Sequence, residues 1–214
     1  VGARRLRELC VKFGTDGVVA GWNELMGRVA SRLRGALTEL PDGAHEAEGA
    51  LDHDGIDLDR PLRVHVQVTK RGDEILFDFS RSDEQAKGSA NATAALIKNT
   101  CYFGLMAITD ANLPFNHGFV EVVQTRFREG TIVCPRLGAA VSHYAPLVYL
   151  ACDVVLKALG EFSAEKAVGA SGGGAAIRIL GTAPASGRPW ILMELLDTAL
   201  GATSCRDGVS LIHG

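Results

Sequence analysis

The sequence predicts an α+β fold: antiparallel hairpins and sheets packed with several long helices. Three observations predict it. Apolar residues recur at spacings of three and four over 16–40 and crowd most of the helical circumference over 143–160. Over 62–69 and 75–79 the period changes to two, on either side of a Lys70-Arg71-Gly72-Asp73 turn. The elements then follow the order αα-ββ-α-ββ-α-ββ, which suits antiparallel pairing.

Residues 1–13 place Leu6, Leu9, Cys10 and Phe13 on one helical face, and Gly14 stops that helix. Thr15 or Asp16 can cap the next, whose stripe runs through Val18, Trp22, Leu25, Met26, Val29, Leu33, Leu37 and Leu40. Arg28, Arg32 and Arg34 lie on its other face, as a solvated surface. Leu40-Pro41-Asp42-Gly43 ends the helix in a turn, so 1–43 reads as a helical segment and 44–214 as an α+β segment of the same subunit.

Residues 44–51 are a candidate further strand. Leu62, Val64, Val66 and Val68 alternate with Arg63, His65, Gln67 and Thr69, a half-buried strand, and Ile75, Phe77 and Phe79 alternate on the return. Helix character resumes over 88–109, with Asn91 as a candidate cap and a wide apolar stripe that includes Leu96, Cys101, Phe103 and Leu105. After a turn-rich 110–118, Val120, Val122 and Thr125 predict a strand; a turn at Glu129-Gly130 and a short strand at 131–134 follow. In the helix over 143–160, Pro146 suits the first turn and Asp153 and Lys157 are spaced as an i,i+4 pair. GASGGG at 169–174 reads as a loop, 175–181 and 189–196 as strands, and 197–210 as loop.

Basic residues number 22 and acidic residues 25, so the formal net charge is −3, and 47% of residues are hydrophobic. That balance fits a globular chain and argues against a nucleic-acid binder, which needs a basic surface. No uncharged run reaches the 18 or so apolar residues of a membrane span. Five widely spaced cysteines form no CxxC, which fits buried thiols in a reducing compartment, the cytoplasm, better than a disulfide framework. The chain starts at Val1, in a helix-like pattern; it reads as a processed chain, a piece of a longer one, or an engineered start.

Chemistry-bearing patterns are sparse. Asp52-His53-Asp54-Gly55-Ile56-Asp57-Leu58-Asp59 invites a test as a cation loop, but position twelve from Asp52 is Arg63, not an acidic ligand. A turn in which aspartates bond local backbone is the better reading. GASGGG lacks the spacing of a nucleotide loop, and a strand follows it instead of a helix; if it meets a ligand, its amides are the contact groups. There is no GxSxG, and the histidines have no HxxxH relation, so no metal site is indicated. Polar and glycine residues cluster at element ends: Asp78-Phe79-Ser80, Gly88 to Ala92, Asn116-His117-Gly118-Phe119, Glu129-Gly130-Thr131, Ser142-His143, and Gly201-Ala202 with Asp207-Gly208.

That ordered series, together with Val1-Gly2-Ala3-Arg4-Arg5-Leu6, Leu40-Pro41-Asp42-Gly43, Leu51-Asp52-His53-Asp54-Gly55 and Val64 to Lys70, resembles the hydantoinase B family. The family holds N-methylhydantoinase B subunits, the matching half of 5-oxoprolinase and acetone-carboxylase alpha subunits. The chain departs from the family pattern at Arg81, where glycine is usual; at His143-Tyr144, which stand where an arginine is usual; and at Thr203 to Arg206. The resemblance covers nearly the whole chain and places it in the middle and later part of a longer subunit. Metal motifs of the family would lie upstream of Val1, so the resemblance leaves room for a divalent metal bound outside this stretch and carries over no metal ligand to these residues. The resemblance implies an ATP-dependent cyclic amide hydrolase of hydantoinase or oxoprolinase type, or a ketone carboxylase, in a hetero-oligomer. A partner A-type subunit carries MgATP and phosphorylates the small-molecule substrate, and the B-type subunit processes the activated product. Asp78, Ser80, Asn91, Asn116 and His143 are the candidate catalytic residues. A non-catalytic assembly domain, or a small-molecule-binding module using GASGGG, are the alternatives.

Overall fold

The computed structural model describes residues 1–173, 175–196, 199 and 201–209. Two helices open the chain, α1 (Gly2–Phe13) and α2 (Thr15–Thr38), separated at Gly14 as the sequence predicts. α1 buries none of its residues, whereas α2 turns Val29, Ala30, Leu33 and Leu37 into the core. The arginines of α2 are more than a solvated face. Arg32 pairs with Asp110, and Arg34 pairs with Asp73 at 3.1 Å while donating to the Glu121 carbonyl.

The central sheet has the order β1 (Gly43–Leu51), β2 (Leu62–Arg71), β3 (Glu74–Asp78), β4 (Val123–Arg126). β1 and β3 flank β2 antiparallel, as the alternation requires. β4 runs parallel to β3, with Ile75 beside Val123, so the sheet is mixed where antiparallel pairing was expected. The reason is the long excursion from 79 to 122, which brings the chain back to the sheet edge in the same direction. Val64, Val66, Val68, Ile75 and Phe77 are all buried on one face. Lys70 is buried with them at the sheet end, its ammonium donating to the Leu40 carbonyl and to Asp42 Oδ1 at 2.8 Å.

α3 (Ala94–Ile108) and α5 (Ala145–Gly160) pack together, and α5 covers β1 and β2. The close approach of the two helices needs Gly104, because a Cβ there would lie 2.8 Å from Leu159 Cδ1 and Val155 Cγ1. α3 starts later than expected, with Thr93 rather than Asn91 before its first turn. Val120 and Val122 are helical, in α4 (Gly118–Val122), because Phe119 and Val122 are buried three apart while Val120 faces out. Only the Thr125 end of that stretch is strand. The strand expected at 131–134 is a turn closed by a Thr131–Cys134 bridge. A 3-10 turn at Ala164–Lys166 leads to the antiparallel ribbon β5 (Ala175–Thr182) and β6 (Pro189–Leu196). Gly174 of GASGGG and parts of 197–210 lie outside the described residues. Among the described residues no helix is long and apolar enough to cross a membrane.

Candidate functional site

Strand direction gathers three loops at one end of the sheet: 52–61, 79–93 and 127–144. Their backbones are sewn together. Asp54 accepts from the amides of Ile56 and Asp57 at 2.8 Å and from Gly88 across the gap at 2.9 Å. Those bonds, from Asp57 first, then Gly88 and Ile56, hold the Asp54 carboxyl well below its ordinary range. The acidic stretch is thus a turn that also pins a neighbouring loop. Gln85 N–H donates to the Gly130 carbonyl, Ala92 N–H to that of Ile132, and His143 N–H to that of Ser89.

Four of the five predicted site residues belong to this layer. Asp78 ends β3 and lies in register with Gln67, Glu46 and Arg126 on the polar face of the sheet. It accepts from the Ser80 amide at 2.9 Å and from Arg126 at 3.1 Å. Burial raises the Asp78 carboxyl, but the Ser80 bonds and the Arg126 guanidinium outweigh it and leave the net shift downward. The Ser80 carbonyl accepts from Arg128, which also holds the Ser82 carbonyl and pairs with Glu84. Along the same face Glu46 gathers Gln67, Arg81 and His65, and His65 Nδ1 is buried with no partner among the described residues.

Asn91 is fully buried and fully used. Its Oδ1 accepts from the Ala86 amide at 2.8 Å, and Nδ2 donates to the carbonyls of Ala86, Gly88 and Ala140. His143 is exposed at the entrance to α5. Asn116 stands apart from this layer. It accepts from the Gly118 amide and donates to the Leu25 carbonyl of α2, joining the α4 turn to that helix.

A second place emerges between α3 and α5, where a cavity of about 740 Å³ opens. Leu96, Phe103, Val148, Tyr149 and Leu156 give it an apolar wall. Phe103 is 58% exposed and Tyr149 44%, so both helices present aromatic rings the core does not use. Burial pushes the Cys152 thiol, also on this wall, up to about 11, which makes it a packing group rather than a nucleophile. The other wall is two loops, 168–172 and 201–209. They are joined by Gly169 N–H to the Ala202 carbonyl at 2.8 Å, and Gly172 N–H donates to that of Ala199 at 2.9 Å. A Cβ on Gly201 would lie 1.9 Å from the Gly169 carbonyl oxygen, so only glycine permits this contact. The Ser171 amide and hydroxyl donate to Asp153 Oδ1 of α5, at 3.1 and 3.3 Å. Asp153 therefore turns to the loop, not to Lys157. The exposed side chains of Arg206 and Asp207 line the cavity with no ion pair or hydrogen bond of their own among the described residues, while the Arg206 carbonyl accepts from the Thr203 hydroxyl at 3.4 Å.

The profile of the Hydantoinase B/oxoprolinase family matches residues 1–214, the full length. The chain belongs to that family. Within it, the chain is 27% identical over 219 residues to the caprolactamase subunit beta of Pseudomonas jessenii, covering 97% of this chain and 36% of that one. The crystal structure of the ATP-dependent caprolactamase from Pseudomonas jessenii superposes on it with a TM-score of 0.85 at 25% identity, over 98% of this chain and 37% of that one. A nucleotide-free acetone carboxylase structure shares the fold, with a TM-score of 0.76 at 15% identity over 95% of this chain and 29% of that one. The chain spans about a third of the length of the curated relatives it matches.

For this family member, sequence reading pointed to the loop layer and passed over the cavity. One signal for the cavity was present: the apolar stripe of α3 is wider than one buried face needs. Another was the pairing of two glycine-bearing loops distant in sequence, which no local pattern reveals. Among the described residues no group of three or more His, Cys, Asp or Glu is placed to hold a metal ion.

Proposed function

We propose that the chain is part of the B-type subunit of an ATP-dependent cyclic amide hydrolase, acting on a substrate that an A-type partner subunit activates with MgATP. The observation that carries this reading is the family match over all 214 residues, joined to the likeness to an ATP-dependent caprolactamase at a TM-score of 0.85. An unstrained amide is a poor electrophile because nitrogen donates into the carbonyl. Phosphorylating its oxygen on the partner removes that donation and creates a leaving group. The B-type site then places water and stabilises the developing charge. Any divalent ion is kept outside this stretch, and no step here depends on one.

Within the loop layer, Asp78, Ser80 and His143 are the proposed contact groups. Asp78 and Ser80 share a bond at the end of β3, and the exposed His143 ring stands at the entrance to α5. Asn91 and Asn116 are proposed as positioning residues, because their amide groups hold loop and helix backbone.

The test is an assay of the whole subunit with its A-type partner against ε-caprolactam, 5-oxoproline and hydantoins. Ring opening with release of ADP and phosphate, only with MgATP and both subunits present, is the expected result. Asp78→Asn then lowers the rate per assembled complex by about a hundredfold, the scale of a lost acid–base or orienting group. Bicarbonate-dependent carboxylation of ketones without amide opening overturns the hydrolase reading. Wild-type rates in Asp78→Asn complexes remove that residue from the site.

A further inference from the structure

We infer that β5 and β6 are inner strands of a second sheet, covered on both faces by a segment of the same B-type subunit that lies outside residues 1–214. The occupant rests on the reading above, that the chain is part of such a subunit. Register puts Ile177, Ile179, Trp190 and Leu192 on one face of the ribbon and Leu180, Ile191 and Met193 on the other. All seven are exposed, Leu180 by 72% and Ile191 by 68%. Within the two strands each face carries one charge, Glu194 on the first and Arg178 on the second.

The first sheet shows what a strand with one wet face looks like. β2 alternates, with Val64, Val66 and Val68 in the core and Arg63, Gln67 and Thr69 turned the other way. Strands buried on both faces instead read as near-continuous apolar runs, and Trp190-Ile191-Leu192-Met193 is such a run. The ribbon has little to hold it otherwise. Its strands pack chiefly on each other, and among the described residues both outer edges are unpaired. Even the Trp190 ring rests on the facing strand, since a Cβ on Gly181 would lie 2.3 Å from it. A two-stranded ribbon alone is marginal in water, and an apolar one with open edges invites aggregation.

What covers it has to reach both faces, and that selects among three occupants. A second copy that pairs edge to edge makes a wider sheet whose faces are still bare. A separately folded partner that docks as a rigid body covers one face and leaves the other. A segment of the same chain can lay one layer on each side and add strands at the edges, as domains do when they fold. There is chain enough for this. The match covers 37%, 34% and 36% of three curated relatives, so almost two thirds of a subunit of that size lies outside it.

The experiment uses the full B-type subunit, alone and with its A-type partner, with Ile191→Cys and Leu192→Cys as one reporter for each face. Iodoacetamide labelling of each introduced thiol is followed by peptide mass spectrometry and compared with the same protein unfolded in urea. Labelling slower than in the unfolded chain by about a hundredfold or more is expected at both positions, because a buried thiol reacts only through local opening. That protection is expected in the subunit alone and at every concentration. Amide exchange of the unsubstituted subunit is the second measurement and needs no variant to fold. Protection of consecutive amides along both strands is expected, where a free two-stranded ribbon protects about every second one.

Labelling near the unfolded rate in the subunit alone overturns the inference, and so does protection of one face only. Protection that appears only with the A-type partner gives the ribbon to that interface. Protection that rises with subunit concentration gives it to a second copy. Either result overturns the inference. MgATP-dependent amide opening with a freely labelled ribbon sinks the second sheet and keeps the hydrolase reading. A protected ribbon in a complex without amide turnover does the reverse.

Discussion

The loop layer at the sheet end and the cavity between α3 and α5 use polar groups in opposite ways. In the loop layer nearly every polar side chain is spent on protein. Asp54 takes three amides, Asn91 four backbone groups, and Arg128 two carbonyls and a carboxylate. In the cavity wall Thr100, Asp153, Ser171 and Thr203 are spent on protein, whereas the side chains of Arg206 and Asp207 have no partner among the described residues. The difference teaches that polar density at element ends has two origins. Loops that leave a sheet carry unpaired backbone groups, and side chains satisfying them look like a site in sequence. A group free to meet a ligand is recognised only when its partners are known to be missing.

Asn91→Ala tests the spent half of the comparison most severely. The change leaves one buried amide and three carbonyls without partners, and one such loss costs ~1–3 kcal/mol. We expect a loss of about 3 kcal/mol in unfolding free energy, read by denaturant melts of the full subunit. The turnover of whatever complex assembles is expected to fall by several-fold at most, because Asn91 holds the Ala140 loop rather than the substrate. A stable variant with a collapsed rate would place Asn91 at the chemistry and break the contrast.

Asp54 gives the next effect, through pH. Its folded pKa lies below the ordinary value of 3.8, so the unfolded chain takes up its proton first as acid is added. The stability it supplies is complete above about pH 5 and falls away as pH drops through 3.8 toward the folded pKa. Thermal midpoints of wild type should decline over that window. Asp54→Asn should start lower and show a smaller decline; equal slopes in the two proteins would show that the Gly88 tether is not sensitive to this charge.

Most of the fold is legible in the sequence, for physical reasons. β1, β2, β3 and the long helices each bury one face, and burial imposes a period of two or near 3.6 that can be read residue by residue. The misreadings fall where the period is short of evidence. Five residues of α4 hold one helical turn, and Val120 and Val122 alternate there as they would in a strand. The parallel direction of β4 is a property of where 44 intervening residues travel, not of the strand itself. In the loop layer, the contact between Asp78 and Ser80 was legible because they close a hairpin strand and their mutual bond is local. The cavity was not, because its walls come from α3, α5 and two loops whose pairing spans 33 residues, from Gly169 to Ala202.

Asp153 offers the smallest and sharpest distinction. Its spacing to Lys157 suits an i,i+4 ion pair, which on an exposed helix contributes ~0.3–0.5 kcal/mol. Its carboxylate instead accepts two bonds from Ser171, the one side-chain tether from α5 to the 168–172 loop among the described residues. Asp153→Ala is therefore expected to cost about 1 kcal/mol and to release the loop. Lys157→Ala is expected to change stability by less than about 0.3 kcal/mol. Hydrogen exchange reads the two directly. Faster exchange of the Ser171 and Gly172 amides in Asp153→Ala alone fits the tether, and release carries to Ala199 and to the 201–209 loop, because Gly172 N–H rests on the Ala199 carbonyl and Gly169 N–H on that of Ala202. Equal exchange in the two variants would mean the backbone bonds between the loops hold the cavity wall without help from α5.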